Sequence, residues 1–80
     1  MTEWPKDNHG RLTKTFIFKN YRKSFAFTSQ VVMLSDKKNH HPQIILDYGS
    51  VTIAIISHDV KKVTQRDIDL AEQIDKIYQY

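Results

Sequence analysis

The chain is expected to fold as an α+β protein, a four-stranded antiparallel sheet with helices packed on one face, in the order strand-strand-helix-strand-strand-helix. Three features predict this. Residues 11–19 and 51–58 alternate at a period of two. The stretch from Tyr21 onward repeats apolar residues at helical spacing. Thr64 opens a second helical stripe behind a recognisable cap.

Trp4 to Lys6 reads as a short first strand, followed by a turn through Asp7, Asn8, His9 and Gly10. From Arg11 to Lys19, Leu12, Phe16 and Phe18 share one face, with Thr15, Ile17 and Lys19 on the other, as in a strand. Asn20 suits a helix N-cap, because its side-chain oxygen can accept an orphan backbone N–H. The helix it starts is expected to run from Tyr21 to about Lys38. Tyr21, Phe25, Ala26, Val32 and Met33 lie on one side of it, and Phe27, Val31 and Leu34 on another. Two apolar faces call for two partners: the chain's own sheet, and either a further element or another subunit.

Ile44 to Tyr48 and Val51 to His58 form the second strand pair. Gly49-Ser50 between them suits a two-residue type II′ turn, with glycine at a positive φ. In the later strand Val51, Ile53, Ile55 and Ser57 share a face, and Thr52, Ala54, Ile56 and His58 share the other. The last helix begins with Thr64 as N-cap and Asp67 three residues on, close to a capping box. Val63 and Ile68 stand where a hydrophobic staple would, and Leu70, Ala71, Ile74, Ile77 and Tyr78 continue the stripe.

Eighty residues make one domain, 1–80. So short a chain buries a reduced fraction of its surface. With no cysteine there is no disulfide to compensate, which leaves oligomerisation as the usual route to stability. The net charge of +3 is uneven: residues 1–40 hold eight Lys or Arg against three acids, and residues 41–80 hold four against six. No Arg/Lys cluster is dense enough for a nucleic-acid stripe, and no sheet face interleaves aromatics with arginine. Nucleic acid is therefore not an expected partner. Met1 to Gly10 contains no signal-like apolar run, and no apolar run is longer than the four residues of Ile53 to Ile56, too short to span a bilayer. The expectation is a cytoplasmic protein with no membrane partner.

His40, His41 and His58 fall near expected strand ends. Histidine suits proton transfer near neutrality, with an unperturbed pKa of about 6.5. Pro42 biases His41 toward extended backbone, where neighbouring side chains point to opposite sides, so His40 and His41 should do different work. From the residues alone three readings stay open. The histidines can be surface or capping groups, or metal ligands, for which the divergent pair and the lack of an HExxH spacing fit poorly. They can also be acid/base catalysts oriented by a carboxylate. The neighbours carry plain structural readings too. Asp67 can be only a capping residue, Tyr48 strand packing, Trp4 cover for the core edge, Asp36 a solvated residue in a last helical turn, and His9 a turn residue.

The order of these residues is specific. Asp36 is followed after three residues by His40-His41-Pro42, then by Tyr48, His58 and Asp67, seven positions over 32 residues. With Phe16-Ile17-Phe18, Phe25-Ala26-Phe27, Ser57-His58-Asp59 and Arg66-Asp67-Ile68, this resembles the pterin-4a-carbinolamine dehydratase family from about Trp4 to Tyr78. The resemblance implies dehydration of 4a-hydroxytetrahydrobiopterin to quinonoid dihydropterin, which recycles the cofactor of aromatic amino acid hydroxylases and so links the protein to such an enzyme. It implies His40 and His58 as acid/base groups and His41 as a substrate-binding group. Asp36 and Asp67 would orient imidazoles or bind the pterin, and Trp4 would line the pocket. No metal or organic cofactor is expected, because the pterin is the substrate. A homodimer or homotetramer is implied. The family's usual leading helix is not seen ahead of Trp4, Gln43-Ile44 stand where an acid and an aromatic are frequent, and Lys61-Lys62 replace a glycine-rich turn. The alternative function is a non-catalytic binding role, as in animal members that act as dimerisation cofactors of a homeodomain transcription factor. Such relatives are expected to have lost a catalytic histidine, and this sequence keeps all three.

Overall fold

The computed structural model describes residues 3–78. Its elements run β1 (Leu12–Ile17), α1 (Tyr21–Lys37), β2 (Gln43–Leu46), β3 (Ser50–Ile55) and α2 (Gln65–Ile77). The sheet has three strands in the order β1-β3-β2, with both pairings antiparallel. The class is α+β, but the expected four strands and strand-strand-helix-strand-strand-helix order are corrected to three strands and strand-helix-strand-strand-helix.

The missing strand is Trp4–Lys6. Lys6 makes one isolated bridge to Leu12, and the Pro5 carbonyl accepts the Thr13 N–H at 2.8 Å. Proline has no N–H for a ladder, and Trp4 is drawn into the core, where its ring meets Phe16 edge-on at 5.7 Å. The turn behind is tight. One carboxylate oxygen of Asp7 accepts the N–H groups of His9 and Arg11, both at 2.9 Å, and Gly10 supplies the positive φ.

The inner sheet face carries Leu12, Phe16, Val51, Ile53 and Ile55, all buried, as the alternation predicted. Phe27 and Val31 of α1 and Leu70, Ala71 and Ile74 of α2 pack onto it in one core. Fully burying each large side chain contributes about 1.5–3 kcal/mol. Thr15 and Thr52 lie opposite each other on the outer face, their hydroxyls 2.9 Å apart.

α1 starts as expected: Asn20 Oδ1 accepts the Lys23 N–H at 2.9 Å. It stops when Asn39 enters the left-handed region (φ 52), a residue type that tolerates it, and His40 N–H closes back on the Ser35 carbonyl at 3.0 Å. That reversal turns the chain toward α2 at His40.

The hairpin differs from the type II′ expectation. Leu46 pairs with Val51 and Asp47 N–H bonds the Ser50 carbonyl at 2.8 Å, so residues 47–49 make the connection. Gly49 does not take a positive φ. Its carbonyl accepts the Phe18 N–H at 2.9 Å, and a Cβ there would stand 3.2 Å from the Phe18 carbonyl oxygen. Pairing of Ser50 with Ile17 draws this corner toward β1, so glycine serves close approach and not turn handedness. Tyr48, read as strand packing, sits in this connection, 64% exposed, stacked on Tyr21.

Candidate active site

Three elements meet where α1 ends, β3 ends and α2 begins. Ser57 continues the inward parity of β3 past its last residue and is fully buried. A polar side chain on an apolar face needs a partner. Its partner is Asp67, the third residue of α2, also fully buried. The Ser57 hydroxyl donates to Asp67 Oδ2 at 2.7 Å, and the Thr64 N–H donates to the same oxygen at 2.7 Å. The second of these is the capping contact expected from the sequence.

Oδ1 of Asp67 faces His40. The His40 Nε2 lies 2.6 Å from it, with the imidazole side chain 15% exposed. Burial pushes the Asp67 carboxyl up, but Ser57, the Thr64 N–H and His40 outweigh it and hold the group below its ordinary value of 3.8. Asp67 is therefore an anion at neutral pH. A buried carboxylate bonded to imidazole sets ring orientation and stabilises the imidazolium when it forms.

His41 points elsewhere, as the Pro42 geometry predicted: its Nε2 lies 3.3 Å from Asp36 Oδ1, both side chains well exposed. His58 was expected to end a strand. β3 instead stops at Ile55, and His58 stands exposed in a turn closed by Lys61 N–H to the Ser57 carbonyl at 2.7 Å. Lys61 takes a positive φ of 56 there. Arg66 reaches Asp59 at 2.7 Å and ties this turn to α2. Trp4 stands apart from the histidines. Its Nε1–H bonds the Asp75 carboxylate at 3.1 Å, two helical turns beyond Asp67.

Sequence reasoning took Thr64 only as a cap and gave Ser57 no role. Ser57 could have been found from its place in the Val51-Ile53-Ile55-Ser57 parity. A cleft of about 590 Å³ opens beside His40, its walls including Lys37 and Lys38 from the end of α1 and Arg66, Asp69 and Leu70 from α2. Among the described residues no group of three or more His, Cys, Asp or Glu is arranged to hold a metal ion. Nor, among them, is any helix long and apolar enough to cross a membrane.

Residues 1–77 match the family model for pterin 4 alpha carbinolamine dehydratase. Curated relatives named "Putative pterin-4-alpha-carbinolamine dehydratase" include those of Hydrogenovibrio crunogenus and Chloroflexus aggregans. The first is 36% identical over 82% of this chain and 58% of its own length. The second is 35% identical over 94% of this chain and 80% of its own length. Thus the chain spans little more than half of the first relative. Among solved structures, a transcriptional coactivator/pterin dehydratase from Brucella melitensis superposes with a TM-score of 0.88 at 30% identity, over 95% of this chain and 82% of that one. A pterin dehydratase-like protein identified as a RuBisCO assembly factor in the alpha-carboxysome shares the fold, with a TM-score of 0.79 at 23% identity over 95% and 89%. By the match of nearly its whole length to the family model and by these relatives, the chain belongs to the pterin-4α-carbinolamine dehydratase family.

Proposed function

We propose that this protein dehydrates a 4a-hydroxytetrahydropterin, 4a-hydroxytetrahydrobiopterin in the first instance, to the quinonoid dihydropterin, recycling the cofactor of an aromatic amino acid hydroxylase. One observation carries the reading: an ionised, fully buried Asp67 holds His40 at 2.6 Å beside an open cleft.

The reaction breaks the C4a–O bond. The oxygen takes a proton and leaves as water, and the ring gives up a proton as the C=N bond forms. One proton in and one out leave the enzyme's proton count unchanged after turnover. His40 and His58 share these two transfers. His58, exposed in its turn, can re-equilibrate with solvent. His41 and Asp36 bind and position the pterin. Trp4, buried against Phe16 and bonded to Asp75, does not wall this cleft, and its part is to hold the core under α2. The scheme uses no metal and no organic cofactor.

Purified protein is expected to accelerate loss of the 4a-carbinolamine above its spontaneous decay, with a rate unchanged by a metal chelator. A rate equal to the spontaneous one removes the enzymatic reading and leaves a binding role on the same fold. A chelator-sensitive rate restores the metal reading.

Assembly is part of the same proposal. The α1 face that the sequence left without a partner is open in the single chain, with Phe25 58% and Met33 71% exposed beside Tyr21 and Val32. Apolar patches of this kind mark interaction surfaces. The expected state at micromolar concentration is a homodimer or homotetramer, and a monomer by light scattering would refute it.

A further inference from the structure

We infer that Ser57 is a positioning residue: with Thr64 it commits one oxygen of Asp67, so that the other holds His40 by Nε2–H and Nδ1 is left as the nitrogen that exchanges protons. The assignment of Nδ1 to catalysis rests on the function proposed above. The hydrogen-bond chain beneath it does not.

Proton counting sets the direction of every bond. An ionised carboxylate can only accept. Ser57 therefore donates its single hydroxyl proton to Asp67 Oδ2, at 2.7 Å. Having no second proton, Ser57 must accept in its 2.9 Å contact with the Thr64 hydroxyl. Thr64 Oγ1 also lies 3.3 Å from Asp67 Oδ2, the longer of its two options. The chain thus runs from the Thr64 hydroxyl to the Ser57 hydroxyl to Asp67 Oδ2, and bonds in such a chain strengthen one another. The Thr64 backbone N–H adds a further donor to Oδ2 at 2.7 Å.

Oδ2 is then saturated, and the carboxylate cannot rotate without breaking these contacts. Oδ1 is the oxygen left for His40, at 2.6 Å. Because Oδ1 accepts, His40 Nε2 must carry the proton, and in the neutral ring Nδ1 carries the lone pair. Ser57 touches neither ring nor substrate. It acts on His40 only through Asp67, and it does so from full burial, where its bond is not diluted by water.

The test is a proton NMR spectrum of the ¹⁵N-histidine-labelled full chain, read at the His40 Nε2–H. Wild type should show a downfield, exchange-protected Nε2–H resonance. Ser57→Ala should move or broaden it, and Ser57→Thr, which keeps the hydroxyl, should preserve it. In the dehydration assay Ser57→Ala should lower kcat roughly 10-fold with little change in KM, in the range that supporting residues behind a functional group give. A purely structural role for Ser57 would lower stability and leave the resonance in place. An unprotonated Nε2 in wild type overturns the inference without any variant, as does an unchanged resonance in Ser57→Ala. If the resonance behaves as expected but no dehydration is detected, the hydrogen-bond chain stands and the proposed reaction fails.

Discussion

Alanine at His40 or at His58 is expected to lower kcat about 10²–10⁴-fold, the usual cost of losing one general acid or base. The two variants differ in what else they disturb. His58 is exposed in a turn, so its truncation opens no cavity and leaves the fold intact. His40→Ala strips one partner from Asp67, but Ser57 and Thr64 still satisfy Oδ2, and the carboxylate stays buried and bonded. His41→Ala should instead raise KM with kcat largely kept, because a binding group contributes alike to ground and transition states. Its 3.3 Å contact with Asp36 is exposed to solvent, so stability should hardly change. The double variant lacking His40 and His58 should fall to the spontaneous rate while keeping fold and oligomer. Steady-state kinetics with the 4a-carbinolamine checks all four, and wild-type constants in His58→Ala would end the two-histidine scheme.

Asp67→Ala should have the largest effect on stability. It removes the anion that the Ser57 hydroxyl, the Thr64 N–H and His40 all address, and with it the start of α2. Leaving the Ser57 hydroxyl and the Thr64 N–H without their buried acceptor, and losing the helix cap with it, costs about 3 kcal/mol. For a chain of this size that is roughly 12–24 °C in Tm. The effect has a defined pH dependence. The folded-state pKa of Asp67 lies below its ordinary value of 3.8, so its contribution is complete above the unfolded pKa and is lost as pH falls through the folded one. The gap between wild type and Asp67→Ala should be level at neutral pH and narrow below about pH 4. Asp7, brought to about 2 chiefly by the Arg11 backbone N–H, and Asp59, lowered by Arg66, also weaken the fold in acid. Both are present in wild type and variant, so the difference isolates Asp67. Urea unfolding of both proteins from about pH 7 down to about pH 2 reads it; a gap that persists undiminished in acid would mean that Asp67 is not ionised in the fold.

The histidine-carboxylate site was legible in part. The division between His40 and His41 followed from Pro42 and appears as two rings with different partners. The Thr64–Asp67 cap was equally readable, since it spans three residues. That the same carboxylate meets an imidazole came only as one of the roles the family resemblance implies for Asp67, and that the imidazole is His40 was not readable locally, because 27 positions separate them. Ser57 was visible only as a polar residue on an apolar face.

Local patterns were set by the sequence itself. The inward faces of β1 and β3, the Asn20 and Thr64 caps and the two-faced α1 each depend on side chains within a few residues of one another, where period and capping chemistry act directly. Tertiary structure decided the rest. Trp4 left a possible fourth strand for the core, because burying an indole against Phe16 outweighs a few ladder bonds that Pro5 cannot complete. Gly49 became a close-approach residue only once Ser50 paired with Ile17. The Ser57–Asp67–His40 chain formed only where α1, β3 and α2 converged, since a hydrogen bond of 2.6 Å depends on the relative placement of distant segments and on no property of either neighbourhood alone.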